Sequence, residues 1–246
     1  MRFAAIADVH GNCPALEAVL ADIAALGITD VVNLGDHVSV PLEARRTADL
    51  LMARGFPSIQ GDQDRRLLEL WRRGRNASRR MDFVALEPQH FAWMASHPAT
   101  MIYAGDVFLC HGTATDDAAY WLDSVNDYGV VGLAPVEAIE AKAAGIDASL
   151  ILCAHSHIPR VVRMRDGRLV VNPGSVGLPG FEYANPVPHV VETGTPDACY
   201  AICERQRAGW SVAIRYVPYD ASAIAAMAVR NGLPAWGSAL ATGWLR

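Results

Sequence analysis

The strongest constraint on this chain is a repeated ending. Short apolar runs stop, one after another, at a carboxylate or an imidazole. Arg2 to Ala7 leads into Asp8 and His10, Val31 to Leu34 into Gly35-Asp36, and Pro57 to Gln60 into Gly61-Asp62. Further on, Val107 to Cys110 leads into His111, and Ser149 to Cys153 into His155 and His157. Runs this short, bounded by turn residues, read as buried strands. Helical spacing fills the early gaps. Pro14 opens a stretch with Leu16, Val19, Leu20, Ile23, Ala24 and Leu26 on one face, and Gly27 stops it; Leu42 to Arg54 is a second helix. Strand–helix alternation predicts parallel βαβ units. In such sheets ligands bind beyond the carboxyl ends of the strands, so the polar residues ending the runs are predicted to share one edge.

The second half is rich in hairpins. Arg65 to Arg75 and Pro88 to Ser96 read as helices, and Met101 to Tyr103 pairs with Val107 to Cys110 around Ala104-Gly105-Asp106. Pro135 to Ala144 is a helix. Val161 to Met164 and Leu169 to Val171 flank the turn Arg165-Asp166-Gly167-Arg168. A Pro-rich loop runs from Gly180 to Pro196, then Cys199 to Glu204 and Ser211 to Val217 form a late hairpin before a helix from about Ala221. With no linker, repeat or low-complexity segment, residues 1–246 are expected to form one domain with two sheets. The hairpin and helix from about 198 are expected to complete the second sheet.

The bulk composition removes several function classes. Hydrophobic residues make up 52% and charged residues 19% of 246, with a net charge of −5, as in a compact globular domain. Basic residues do not dominate, so nucleic acid is not expected as a partner; the Arg65 to Arg80 cluster reads as a solvated helix face. No run is long enough to span a membrane, and the apolar start before Asp8 is too short for a signal-peptide core. Cys13, Cys110, Cys153, Cys199 and Cys203 are odd in number and contain no CxxC pair. Free buried thiols in a reducing cytoplasm are expected. The oligomeric state is not legible.

The residues at the strand ends have a metal-ligand chemistry. Asp8, His10, Asp36, Asp62, His111, His155 and His157 mix carboxylate and imidazole without thiolate, which suits Mn, Fe, Zn, Ni or Co. Seven donors exceed one ion with an open position and suit two ions sharing a carboxylate. Asp-x-His and His-x-His spacings put both side chains of each pair on the same side of extended backbone.

At these residues the chain resembles the calcineurin-like metallophosphoesterases, and in particular their small bacterial and archaeal phosphodiesterase branch. The family pattern DxH, GD, GNH[DE], H, GHxH appears as Asp8-Val9-His10, Gly35-Asp36, Gly61-Asp62-Gln63-Asp64, His111-Gly112 and Ala154-His155-Ser156-His157. The DxHGN start and Asn172 to Gly177, reading NPGSVG, belong to the same likeness. It implies a four-layer α/β/β/α sandwich of two mixed sheets with a dinuclear metal site at the strand ends. It implies one ion held by Asp8, His10, Asp36 and His157, and a second by Asp36, Asp62, His111 and His155, with Mn favoured for activity. It also implies hydrolysis of a phosphodiester or phosphoanhydride in a small, nucleotide-like substrate by a hydroxide bridging the two ions. Two other activities are compatible with the likeness: a protein Ser/Thr phosphatase, and a metal-binding interaction scaffold with weak or no catalysis.

Two letters depart from the pattern where catalysis is concerned. Asp62 replaces an Asn and adds a negative charge to the second cage. Gln63 replaces the His that assists the leaving group; an amide donates a hydrogen bond but transfers no proton. Loss of a general acid costs on the order of 10²–10⁴ in rate, least for leaving groups stable as anions. Asp62 and Gln63 are therefore the catalytic candidates that set substrate preference. Other polar residues admit plainer roles. Asp64 is a helix N-cap or a support to the ligands. Arg65 and Arg66 begin a solvated helix or touch substrate phosphate, Asn12 is a turn residue ahead of Pro14 or lies near the substrate, and His37 is a support to the site or a surface group. His90 and His97 are expected at the surface or partly buried, His189 in a loop that is an insertion rather than a lid, and Asn172 to Gly177 in a turn supporting the histidine loop.

Overall fold

The computed structural model describes residues 1–40, 42–74, 78 and 80–246, with position 81 described by its backbone alone. In chain order the first half contains β1 (Arg2–Ile6), α1 (Cys13–Ala25), β2 (Val31–Asn33), α2 (Ala44–Arg54), α3 (Asp62–Arg72), α4 (Met81–Ala85), α5 (Pro88–Ala95), β3 (Thr100–Tyr103) and β4 (Val107–Cys110). The second contains β5 (Asp123–Val125), β6 (Val131–Leu133), α6 (Val136–Lys142), β7 (Leu150–Leu152), β8 (Arg160–Arg163), β9 (Leu169–Asn172), β10 (Gly180–Tyr183) and β11 (His189–Glu192). It closes with β12 (Ala198–Gln206), β13 (Gly209–Val217), α7 (Ser222–Arg230) and α8 (Pro234–Thr242).

Two mixed sheets dominate. One has the order β13-β12-β1-β2 and the other β3-β4-β7-β9-β8. β1 and β2 run parallel, as do β4, β7 and β9, while the outer pairings are antiparallel. Side chains alternate across each strand, so period two decides the layers. Phe3, Ala5 and Ala7 of the first strand face a core that Val107, Leu109, Leu150, Leu152 and Val171 enter from the other sheet. Their neighbours Ala4 and Ile6 turn outward onto Leu16, Val19 and Ile23 of α1. On the far side Phe108, Cys110, Ile151 and Val170 meet Ile139 of α6 and the buried Trp121. The layer order is therefore α/β/β/α, as the sequence likeness implies. Helix α1 starts where expected, with Asn12 Oδ1 accepting the Ala15 N–H at 3.2 Å and Pro14 in the first turn.

Several expectations need correction. The late hairpin does not complete the second sheet: β12 pairs antiparallel with β1, so residues 198–217 return to the first. Pro57 to Gln60 form an isolated bridge, Ser58 to Asn33, rather than a strand; Pro57 has no N–H to donate and Gly61 follows at once. The segment after Gly180 is not a loop. Phe181 and Val191 bury their side chains on the pleat of the β10–β11 hairpin, and its prolines fall in the turn. His189 is accordingly buried, with Nε2 2.9 Å from the Tyr120 hydroxyl. His90 is also buried, 2.9 Å from Asp49. The helix expected from Arg65 begins at Asp62 and ends at Arg72; its expected end at Arg75 lies outside the described residues, as does Arg79 of the basic cluster. The terminal helix is two helices, split at Gly232 and Pro234. All five cysteines are buried and free. Among the described residues, no helix is long and apolar enough to cross a membrane.

Leu109 sits fully buried between the sheets. Leu109→Ala is expected to destabilise the protein by about 2–5 kcal/mol in urea unfolding. The same truncation at Ile102, half exposed on the edge strand β3, should cost roughly 0.5 kcal/mol or less.

Candidate metal centre

The strand ends converge as the sequence predicts, and they do so by adopting a conformation that side-chain-bearing residues avoid. Asp8, His10, Asp36, His155 and His157 all have left-handed backbone, with φ between 49° and 67°. Each such residue costs on the order of 1–2 kcal/mol. Hydrogen bonds between neighbouring loops hold them there. The Asp8 and His10 N–H groups donate to Gly35 O and Asp36 O, both at 3.0 Å. The Asp8 carbonyl accepts from Gly177 N at 3.0 Å and from Ser175 Oγ at 2.8 Å. Asn172 Nδ2 donates to Ala154 O and Ser156 Oγ, each at 3.0 Å, so residues 172–177 brace both the first and the last metal-motif loops. Two glycines are required by close approach. A Cβ on Gly61 would lie 2.1 Å from Asp36 Oδ1, and one on Gly177 1.8 Å from Val9 O.

All seven predicted donors meet at this edge, and each is nearly or fully buried. Candidate ligand atoms form three overlapping groups: Asp8, His10 and His157; Asp62, His111 and His155; and Asp8, Asp36 and His111, with atoms in each group within 4.8 Å of one another. His157 Nε2 is 3.4 Å from Asp8 Oδ1, and His111 Nε2 is 3.5 Å from Asp36 Oδ2. His155 presents Nδ1 to Asp62 Oδ1 at 3.3 Å.

The outer nitrogens of three histidines are fixed by partners. His111 Nδ1 donates to Leu34 O at 2.7 Å and His157 Nδ1 to Leu178 O at 2.6 Å. A carbonyl only accepts, so both rings carry an N–H at Nδ1 and turn Nε2 inward, where it offers a lone pair once deprotonated. His10 Nδ1 is held by Ser39 Oγ at 3.0 Å. His10 and His157 thereby aim Nε2 atoms at one point, 3.1 Å apart. Among the described residues, both oxygens of Asp8, Oδ1 of Asp62 and Nε2 of His111 are buried without a hydrogen-bond partner. Unpartnered donor atoms of this kind, crowded at one place, fit a site built to take cations.

Electrostatics show the same crowding. Burial pushes Asp8 up, but His157, His111 and His10 outweigh it and hold the carboxyl at about 2. Burial and the neighbouring Asp62 push Asp36 up to about 6, against the pull of His111. Burial with the adjacent His157 drives His10 down to about 3. Burial opposes charge on Asp62, yet the close approach of the His111 and His155 imidazoles keeps it well below the carboxylate range. A carboxyl raised like Asp36 stabilises the fold below its ordinary 3.8 and ceases to as pH rises through about 6.

Asp64 is not the helix N-cap, which is Gly61; it sits at the third position of α3 and supports the site from there. Its carboxylate accepts the Gly61 N–H at the start of α3 at 2.9 Å, and also the N–H groups of Asp36 and His37 at 2.9 and 3.1 Å. His37 is a buried support, with Nδ1 2.7 Å from Asp64. Asn12 is more than a turn residue, donating to Gly177 O and Tyr219 Oη at 2.9 Å each. Gln63 has its amide nitrogen on Asp62 Oδ2 at 2.9 Å, while its backbone N–H donates to Asp36 Oδ1 at 2.9 Å.

A cavity of about 400 Å³ opens beside the donors. Sequence reasoning missed most of its walls: Phe181 and Tyr183 from β10, Leu233 and Trp236 at the start of α8, and Arg80. Arg80 is braced by the buried Asp82 at 2.7 Å and by Ser39 O at 2.8 Å. Arg66, one helical turn after Asp62, also lines the cavity, where the sequence allowed either a solvated helix start or a contact to substrate phosphate.

Residues 1–193 match the family model of the calcineurin-like phosphoesterase superfamily domain. The chain is similar to a metallophosphoesterase from Sphaerobacter thermophilus of known crystal structure. The two are 26% identical with a TM-score of 0.75, covering 99% of this chain and 100% of the other. It is also 23% identical to an uncharacterized protein of Methanocaldococcus jannaschii, over 95% of this chain and 94% of that one.

Asp64→Asn replaces an acceptor of three backbone N–H groups with an amide that has one acceptor oxygen. It should lower stability by about 1–3 kcal/mol in thermal unfolding. Because burial is outweighed by His37 and the backbone donors, Asp64 is held low. Its contribution is present above the ordinary carboxylate range and fades on acidification, so the gap between parent and variant should narrow at low pH.

Proposed function

The chain belongs to the calcineurin-like phosphoesterase superfamily, and from that premise we propose that it is a two-metal phosphoesterase acting on phosphodiesters or phosphoanhydrides. The observation that carries this reading is the convergence of seven buried donors whose inward atoms have few partners of their own. Asp8, His10, Asp36 and His157 would hold one ion, and Asp36, Asp62, His111 and His155 the other. Mn is the expected ion for activity. Bound there, such a pair supplies a water of lowered pKa and Lewis-acid neutralisation of the phosphoryl oxygens.

The chain's own residues supply the rest. The loop hydrogen bonds pre-set the donors, so little reorganisation accompanies the reaction. The cavity beside them offers aromatic and aliphatic walls to one ester arm, and Arg80 offers a braced cation to further anionic groups. The Gln63 amide cannot transfer a proton and is engaged by Asp62, which favours leaving groups that depart as stable anions. A pure interaction scaffold has no use for a complete donor set of this kind.

Metal content and turnover test the reading together. Purified protein is expected to bind two Mn²⁺ per chain and to cleave bis-p-nitrophenyl phosphate faster than p-nitrophenyl phosphate. Across aryl diesters, turnover should fall steeply as the leaving-group pKa rises. A flat dependence would show that a proton donor is at work, and a loaded protein without turnover would favour the scaffold. Because Asp36 must ionise and is pushed up to about 6, the rise in Tm on adding Mn²⁺ should be larger at pH 7.5 than at pH 5.5. At 100 times Kd the ion adds about 2.7 kcal/mol.

A further inference from the structure

Asp62 is a carboxylate where the family pattern has a neutral amide, and its two oxygens have different surroundings. Oδ1 faces the donor cluster, 3.3 Å from His155 Nδ1 and 3.6 Å from His111 Nε2. Oδ2 turns away. It accepts from Gln63 Nε2 at 2.9 Å and lies 3.1 Å from Arg66 Nη2. Asp62 is fully buried, whereas the Arg66 side chain is 42% exposed and borders the cavity. Helix α3 begins at Asp62, so residue 66 falls one turn on and on the same face.

We propose that Arg66 is a positioning residue that cancels the charge Asp62 adds to the cage. Together with Gln63 it keeps Oδ2 occupied, so that Asp62 acts through one oxygen, as an amide would. A carboxylate and a guanidinium sum to the charge of a lone Asn, so the replacement at position 62 and the arginine at position 66 form one unit. In this arrangement Gln63 is a clamp on Asp62, not a substitute for a proton donor. The inference rests on the two-ion reading.

The test is a double-mutant cycle in the full chain, using Arg66→Met, Asp62→Asn and the pair. Calorimetry with Mn²⁺ reads affinity, and bis-p-nitrophenyl phosphate reads kcat. In the parent background, removing the guanidinium should tighten the weaker ion by about 10-fold. It should also lower kcat by about 10–100-fold, the scale of losing a partner behind a ligand. In the Asp62→Asn background both changes should shrink to less than about 2-fold, because there is no added charge to cancel. Arg66→Lys keeps the charge and should bind Mn²⁺ like the parent; with Arg66→Gln it repeats the comparison should Arg66→Met fold poorly. A residue that merely supports the helix would weaken metal binding, and equally in both backgrounds; either result overturns the proposal. Parent protein that takes up no Mn²⁺ overturns the two-ion reading and this one with it, whereas uptake without coupling overturns this one alone.

Discussion

Buried like charges repel, and three carboxylates in this protein sit under one another's influence with almost no water to screen them. Asp8, Asp36 and Asp62 can share that space only if imidazoles, helix N–H groups or cations answer them. The fold does this in part. Asp36 is met by the backbone N–H of Gln63 at the start of α3, Asp62 by Gln63 and Arg66, and all three by the surrounding histidines. Among the described residues the two oxygens of Asp8 accept no hydrogen bond, and only the nearby imidazoles answer its charge. The crowding of carboxylates is the feature that fits bound cations, and it shows in Asp36, pushed up to about 6 by burial and its acidic neighbours, while the imidazoles hold Asp8 near 2.

A site so strained needs a rigid frame. Its frame is the pair of mixed sheets, whose strands end at the same edge and whose loops bond to each other rather than to solvent. The left-handed residues are where the two demands meet: the backbone turns sharply so that a side chain two residues past a strand can still face the edge. Asp64 and the Asn172 to Gly177 turn contribute through such contacts. They brace the centre through N–H groups and carbonyls, and the buried Asp64 carboxylate also adds to the charge that pushes Asp36 up.

Much of this was legible from residue order. Apolar runs of alternating side chains fixed the layers, because Phe3, Ala5 and Ala7 must point opposite to Ala4 and Ile6 whatever surrounds them. The donors were legible because each closes such a run. What escaped was information carried by distant pairing. Nothing in Cys199 to Val217 says that it will pair with β1 rather than with a strand nearer in sequence. The prolines of residues 186 and 188 disguised a hairpin whose alternation lies at Phe181 and Val191. The cavity walls escaped for the same reason: Trp236 is remote in sequence from His157 and is brought beside it only by the packing of α8 on β10. Arg66 was the exception, readable from helical spacing once α3 was known to start at Asp62 rather than Arg65.

The central claim is that the strand ends form one cage for two ions. Anomalous diffraction from crystals soaked in Mn²⁺ measures this directly. The account predicts two peaks about 3.5–4 Å apart, both touching Asp36, one beside His10 and His157 and the other beside Asp62, His111 and His155. A single peak, or two peaks that do not share Asp36, would contradict it.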